Sequence, residues 1–194
     1  MKKLTCGGLF SGIGGFCYGF ESESFETLWA IDLDKDATDT YRENFKNVEV
    51  IQGDIASLNE MKAKLPQVDL LHAGFPCQSF SQAGNRKGFD DPRGALFFEI
   101  IKFIANQGSN RPAAILLENS PHLMWGDGGA WFDRVRIELQ RSGYWFGPEN
   151  APIIDARAHG GLPQRRERLF MVALSREVFD YNPFFGLEEN NVVD

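Results

Sequence analysis

Short apolar runs and helix-period segments take turns along almost the whole chain. The runs "LTCGGLF", "FETLWAI", "VEVI", "VDLLHA" and "AAILLE" have the length and composition of buried strands. Between them lie "GIGGFCYGFESE", "DKDATDTYRENF", "SLNEMKAKL" and "ALFFEIIKFIAN", whose apolar spacing suits helices. A strand that returns through a helix comes back parallel to its predecessor. The alternation therefore predicts a doubly wound α/β fold, a mainly parallel sheet with helices on both faces.

Local signals refine this. Asp34 is placed to cap the second helix, with Ala37, Tyr41 and Phe45 four apart along it. Ser57 and Glu60 form a capping box for the third. "WFDRVRIELQRSG" sets Trp131, Val135 and Leu139 on one face and ends at Gly143, a C′ glycine. "YWFGPENAPII" and "RLFMVAL" read as closing strands. A chain of 194 residues suits one domain, here over residues 1–182, followed by a frayed polar tail, 183–194.

An apolar fraction of 43% and 17 Phe exclude a disordered chain. The opening "MKKLTCGGLF" has the lysines of a signal peptide, but its glycines favour a strand and turn. Nowhere do 18 apolar residues run together, so no membrane span and a cytoplasmic location are expected. Cys6, Cys17 and Cys77 are too few and too irregularly spaced for a disulfide framework or a zinc site. His72, His122 and His159 lack the spacing of a helical metal site, so no metal is expected. The net charge of −7 disfavours broad contact with nucleic acid. Positive charge gathers instead in "RKGFDDPRG" and "QRRER", so such a site must be local.

Chemistry-bearing residues fall at the ends of the expected strands. The first runs into Phe10-Ser11-Gly12-Ile13-Gly14-Gly15, a turn that allows close backbone approach of a ligand. It lacks the dinucleotide GxGxxG spacing, and by itself it can equally be a plain strand-to-helix turn. Asp32 closes the second strand, where folds of this type bind ribose hydroxyls, and Asp54-Ile55 follow the third. Three such ends in a row fit a nucleoside cofactor, although a neutral cap explains each one singly. Cys77 follows Pro76 after the fourth strand and heads a polar loop extending to about Arg93. Cys6 and Cys17 read as buried filler, whereas the setting of Cys77 suits a partly exposed thiol of the kind a nucleophile requires. Glu118-Asn119 ends the fifth strand and offers an acid next to the thiol, or simply a strand cap. In "LPQRRERLF", Arg166 and Arg168 fall on one side and Arg165 and Glu167 on the other. That pattern serves anion or base recognition, or only a solvated edge strand.

In order and spacing, "LFSGIGGF", "GDI", "GFPCQSFS", "RGALFFE", "LENSP" and "LPQRRERLF" resemble the cytosine-5 DNA methyltransferase family over nearly the whole chain. The resemblance implies a Rossmann-like fold of the S-adenosylmethionine-dependent methyltransferase type, with residues 1–182 as its catalytic domain. It implies that S-adenosyl-L-methionine lies over Phe10, Gly12 and Gly14, with Asp32 on the ribose and Leu33 on the adenine. Asp54, Ile55, Pro76 and Leu96 would complete that pocket. Cys77 would attack C6 of a cytosine flipped from double-stranded DNA, Glu118 would assist at N3, and Arg166 and Arg168 would support both. Gln78, Ser79, Arg86, Lys87, Asn119 and Gln164 would meet the base or the DNA backbone.

Two departures stand out. Ser120 replaces the valine usual after Glu-Asn, and the target-recognition domain and last two motifs of the family do not follow "QRRERLFMVAL". The expectation is therefore the catalytic half of a two-chain enzyme, bacterial or phage-type and nucleoid-associated, with recognition supplied by a second polypeptide. The alternatives are a truncated remnant, an RNA cytosine methyltransferase, and a module that only binds cofactor or DNA.

Overall fold

The computed structural model describes residues 3–22, 24–61, 65–78, 80, 88–92, 94–161 and 163–184. Its elements are β1 (Leu4–Leu9), α1 (Gly15–Ser22), β2 (Phe25–Asp32), α2 (Lys35–Asn44), β3 (Glu49–Gln52), α3 (Ile55–Glu60), β4 (Leu70–Ala73) and α4 (Leu96–Asn106). There follow β5 (Ala114–Asn119), α5 (His122–Trp125), α6 (Ala130–Arg141), β6 (Tyr144–Trp145), β7 (Ile153–Asp155), α7 (Ala156–Gly160) and β8 (Glu167–Ser175).

They form one sheet of order β3-β2-β1-β4-β5-β8-β6, with β7 also paired to β8. The strands from β3 to β5 are parallel, as the alternation predicts. The closing strands are not: β8 runs antiparallel to β5, β6 and β7. Parallel pairing needs a crossover connection, whereas the segment carrying α7 turns the chain back from β7 to β8.

Strand periodicity divides the core. Leu9, Leu71, Ala73, Ile115, Leu117, Leu169 and Met171 face the side covered by α4 and α6, where Phe97, Ile100, Ile104, Val135 and Leu139 are fully buried. Cys17 of α1, Ala30 of β2 and Tyr41 of α2 pack together on the other. The most apolar helix, α4, has 11 residues, and no helix among those described is long and apolar enough to cross a membrane.

Several local expectations are met. Asp34 caps α2 by accepting from the Ala37 N–H at 2.8 Å, and Gly143 has φ +89° just past α6. One is not. The third helix starts at Ile55, capped by Asp54 accepting from the Ala56 N–H at 3.0 Å, so Ser57 lies inside it and makes no capping box.

Trp29 organises the centre of the sheet. The β1–β2 register shifts between Cys6 and Gly7 because β2 carries Leu28 as an extra residue, and Trp29 is thereby turned toward α4. Its indole packs on Phe103 with ring centroids 5.8 Å apart and donates to the Pro66 carbonyl at 2.9 Å. A Cβ on Gly7 would lie 2.3 Å from that indole. Gly7→Ala is expected to cost about 1–3 kcal/mol through this overpacking, seen as a lower urea midpoint at unchanged slope.

Candidate active site

The C-terminal ends of β1, β2, β3 and β4 enclose a cavity of about 450 Å³ lined by Leu9, Phe10, Ile31, Asp32, Leu33, Asp34, Gly53, Asp54, Ile55, Gly74, Pro76 and Leu96. Phe10 sits in the left-handed region at φ +54°, a strained backbone at the mouth of the first turn. Asp32 is fixed from two sides, with one carboxylate oxygen accepting from the Gly12 N–H at 2.7 Å and the other from the Asp34 N–H at 2.9 Å. A carboxylate has about four acceptor sites, so Asp32 keeps capacity for hydroxyl groups.

Seven of the nine expected cofactor residues, Phe10, Asp32, Leu33, Asp54, Ile55, Pro76 and Leu96, line this cavity. Gly12 and Gly14 do not. Gly12 acts through its N–H on Asp32, while a Cβ on Gly14 would strike the Phe45 ring at 2.4 Å, so Gly14 is a packing residue. Leu9, Ile31, Asp34, Gly53 and Gly74 line the cavity without having been expected there from sequence, where Asp34 was read only as a helix cap. Each is adjacent to a strand end, and strand length was the signal that could have found them. Three carboxylates and no basic side chain stand among the lining residues. That charge repels a pyrophosphate and suits a cationic nucleoside.

The next strand ends carry the reactive groups. Gly74 belongs to the cavity wall, and a Cβ on it would lie 3.5 Å from Glu118 Oε2. The cavity and the Glu118 carboxyl thus meet across a residue with no side chain, and Cys77 follows three positions on. Cys77 is half-buried, while Cys6 and Cys17 are buried, the latter with its thiol 3.3 Å from His72 Nε2. Burial pushes His72 down to about 3 and keeps it neutral. The turn at Cys77 is held by the Phe80 N–H, which donates to the Cys77 carbonyl at 2.9 Å. Phe80 is buried against Phe89 and Trp131, with ring centroids at 5.1 and 5.4 Å.

Glu118 lies on the strand face opposite Leu117 and Asn119. It lines a second, open groove of about 580 Å³ with Phe16, Phe20, Leu116, Arg166, Arg168 and Phe170. Arg168 Nε meets Glu118 Oε1 at 2.7 Å. Arg165 pairs instead with Glu167 at 2.8 Å, so the alternation read from "QRRER" sets the two arginine pairs on opposite sides. Burial raises the Glu118 carboxyl above the usual carboxylate range, against the pull of Arg168 and Arg166.

Asn119 is not placed to meet a substrate. It is fully buried, its amide donating to the Phe75 carbonyl at 3.2 Å and accepting from the Ser120 N–H at 2.8 Å. Gln164 is exposed. Gln78 directly follows Cys77, and Ser79, Arg86 and Lys87 lie outside the described residues.

Because ionisation of Glu118 is disfavoured in the fold, the chain loses stability as the pH rises from the unfolded carboxylate value, about 4.3, through the raised folded one. Glu118→Gln carries no such charge. Its stability relative to the parent chain is expected to be greater near pH 8 than near pH 4, measured by urea unfolding at both.

The family model for C-5 cytosine-specific DNA methylase matches residues 4–192. Type II methyltransferase M.Bsp6I of Bacillus sp. (strain RFL6) is 39% identical over 184 residues, covering 93% of this chain and 55% of its own. Type II methyltransferase M.HhaI of Haemophilus parahaemolyticus is 35% identical over 170 residues, covering 88% and 49%. The chain thus spans about half the length of the curated relatives it matches. Among solved structures, S. pombe Dnmt2 methyltransferase superposes with TM-score 0.70 at 25% identity, covering 93% of this chain and 53% of its own. The Entamoeba histolytica methyltransferase EhMeth shares the fold, with TM-score 0.67 at 20% identity over 90% of this chain and 53% of its own. With its mainly parallel sheet, its strand-end cavity and its match over almost every residue, the chain belongs to the C-5 cytosine-specific DNA methylase family.

Proposed function

We propose that this chain is the catalytic part of a DNA (cytosine-5)-methyltransferase and that it uses S-adenosyl-L-methionine. The observation that carries this reading is the meeting, at Gly74, of a nucleoside-sized cavity and the Glu118 carboxyl, with Cys77 on the same short segment. The cavity fits such a cofactor: apolar Leu33 and Ile55 for a purine ring, Asp32 for ribose hydroxyls, and carboxylates for a cationic group. When bound there, S-adenosylmethionine supplies an electrophilic methyl group.

The residues of the chain would do the rest. A cytosine taken out of the duplex presents its C6 to Cys77 and its N3 to Glu118. The Cys77 thiolate bonds to C6 while Glu118, whose neutral form burial favours, gives a proton to N3. The electron pair of the C5–C6 bond is then available at C5, where the methyl is received. Water takes the C5 proton, the freed electron pair re-forms the C5–C6 double bond and expels the Cys77 thiolate, and N3 returns its proton to Glu118. Arg168 holds the Glu118 carboxyl in place, and Arg166 adds positive charge beside the base.

Target recognition is assigned to sequence of the kind that makes up the other half of the relatives. Each relative is a single chain about twice as long as the matched part, so the comparisons give no support to a separate recognition chain.

The test is transfer of labelled methyl groups to unmethylated genomic DNA, which contains every short target. It is run with the chain alone and with the chain joined to the recognition half of a family relative. Cys77→Ser is expected to lower incorporation on the order of 10³-fold or more. Incorporation that survives Cys77→Ser, or none in either form, would overturn the reading.

A further inference from the structure

Arg166 and Arg168 both face Glu118, but they are held in different ways. Arg168 is pinned through its side chain, by Glu118 at 2.7 Å and by the Glu167 carbonyl at 2.7 Å. Arg166 is exposed, and among the described residues no hydrogen bond or ion pair fixes its guanidinium. Its direction is therefore set by its main chain, and that main chain is bound on both sides. The Arg166 N–H donates to Asp155 Oδ1 at 3.0 Å, and the Arg166 carbonyl accepts from the Ala156 N–H at 3.1 Å. The same Asp155 oxygen caps α7 by accepting from the Arg157 N–H at 3.0 Å.

Asp155 thus closes the ends of the segment between β7 and β8 onto each other, eleven residues apart. Its carboxyl is held below the ordinary range by the Arg157 N–H first, then by the Arg166 N–H and the nearby Arg157 and Arg165 charges. It stays ionised, and so remains an acceptor, throughout the working pH range. Arg157 and Arg165 are themselves exposed on the outer side.

We propose that Asp155 is a positioning residue that aims Arg166 at the Glu118 carboxyl by fixing the main chain from which Arg166 projects. Its catalytic consequence rests on the reading of Glu118 given above, but the geometry can be tested without turnover. Among the described residues, the charged groups that act on Glu118 are Arg166 and Arg168; α1 lines the same groove with Phe16 and Phe20, and Gly74, just past β4, lies against the carboxyl. A displaced Arg166 therefore registers at Glu118 as a lost positive charge.

The experiment is a carbon-13 NMR titration of the Glu118 carboxyl in the whole chain, assigned with Glu118→Gln. Arg166→Gln sets the full size of the effect, an upward shift. Asp155→Asn removes the charge of Asp155 but keeps an oxygen that accepts both N–H groups, and is expected to leave Glu118 close to the parent value. Asp155→Ala removes the acceptor as well and is expected to raise Glu118 by at least half of the Arg166→Gln shift. Should the alanine variant not fold, Asp155→Glu, which carries the acceptor one methylene further out, is expected to shift Glu118 in the same direction. Identical titrations in Asp155→Asn and the acceptor-displacing variant would overturn the proposal. A shift at Glu118 in a chain that never methylates DNA would uphold the positioning role while removing the functional reading.

Discussion

β8 runs against β5, and the site depends on that reversal. Five parallel strands bring their C-terminal ends to one edge of the sheet, where β1 to β4 enclose the cavity. A sixth parallel strand would have delivered only another C-terminal end. The antiparallel β8 instead brings its N-terminal end to that edge, pairing Glu118 with Phe170 and Asn119 with Leu169. Arg168, near the start of β8, and Arg166, just before it, then stand next to the carboxyl of Glu118 near the end of β5. One strand direction sets an acid and its counterions beside the strand-end cavity.

Glu118 is under two opposed influences. Burial favours its neutral form, and the two arginines favour its ionised form. Burial prevails, so the carboxyl retains a proton above the ordinary carboxylate range while an arginine still fixes its geometry. This suits a group that has to donate to a ring nitrogen. Asn119, one residue on, faces the other side and is bound into the main chain at Phe75. The alternation of a strand thus gives adjacent residues separate duties, one chemical and one structural.

The architecture was legible because apolar periodicity registers burial, and burial here follows strand and helix period closely. Asp32, Asp54 and Ile55 were found for a related reason: they lie where a run of strand residues stops, whereas Leu96, which opens α4, came from the family resemblance. What could not be read depends on contacts between distant residues. The place of Gly14 under the Phe45 ring, the wedge of Trp29 over Gly7 and the carboxylate of Asp155 on the Arg166 main chain leave no periodic trace. The reversal of β8 was likewise hidden, since its apolar pattern is the same in either direction. Ser57 and Glu60 have capping-box spacing, but Asp54, three residues earlier, caps the helix instead and begins it sooner.

The central claim is that the cavity and the Cys77–Glu118 pair form one reaction site. It is tested most directly by adding S-adenosylmethionine carrying a carbon-13 methyl group and recording nuclear Overhauser contacts from that methyl. The account requires contacts to the Gly74 α-protons and the Cys77 β-protons, abolished together by Asp32→Ala. A bound cofactor whose methyl contacts other residues, or contacts that persist unchanged in Asp32→Ala, would contradict it.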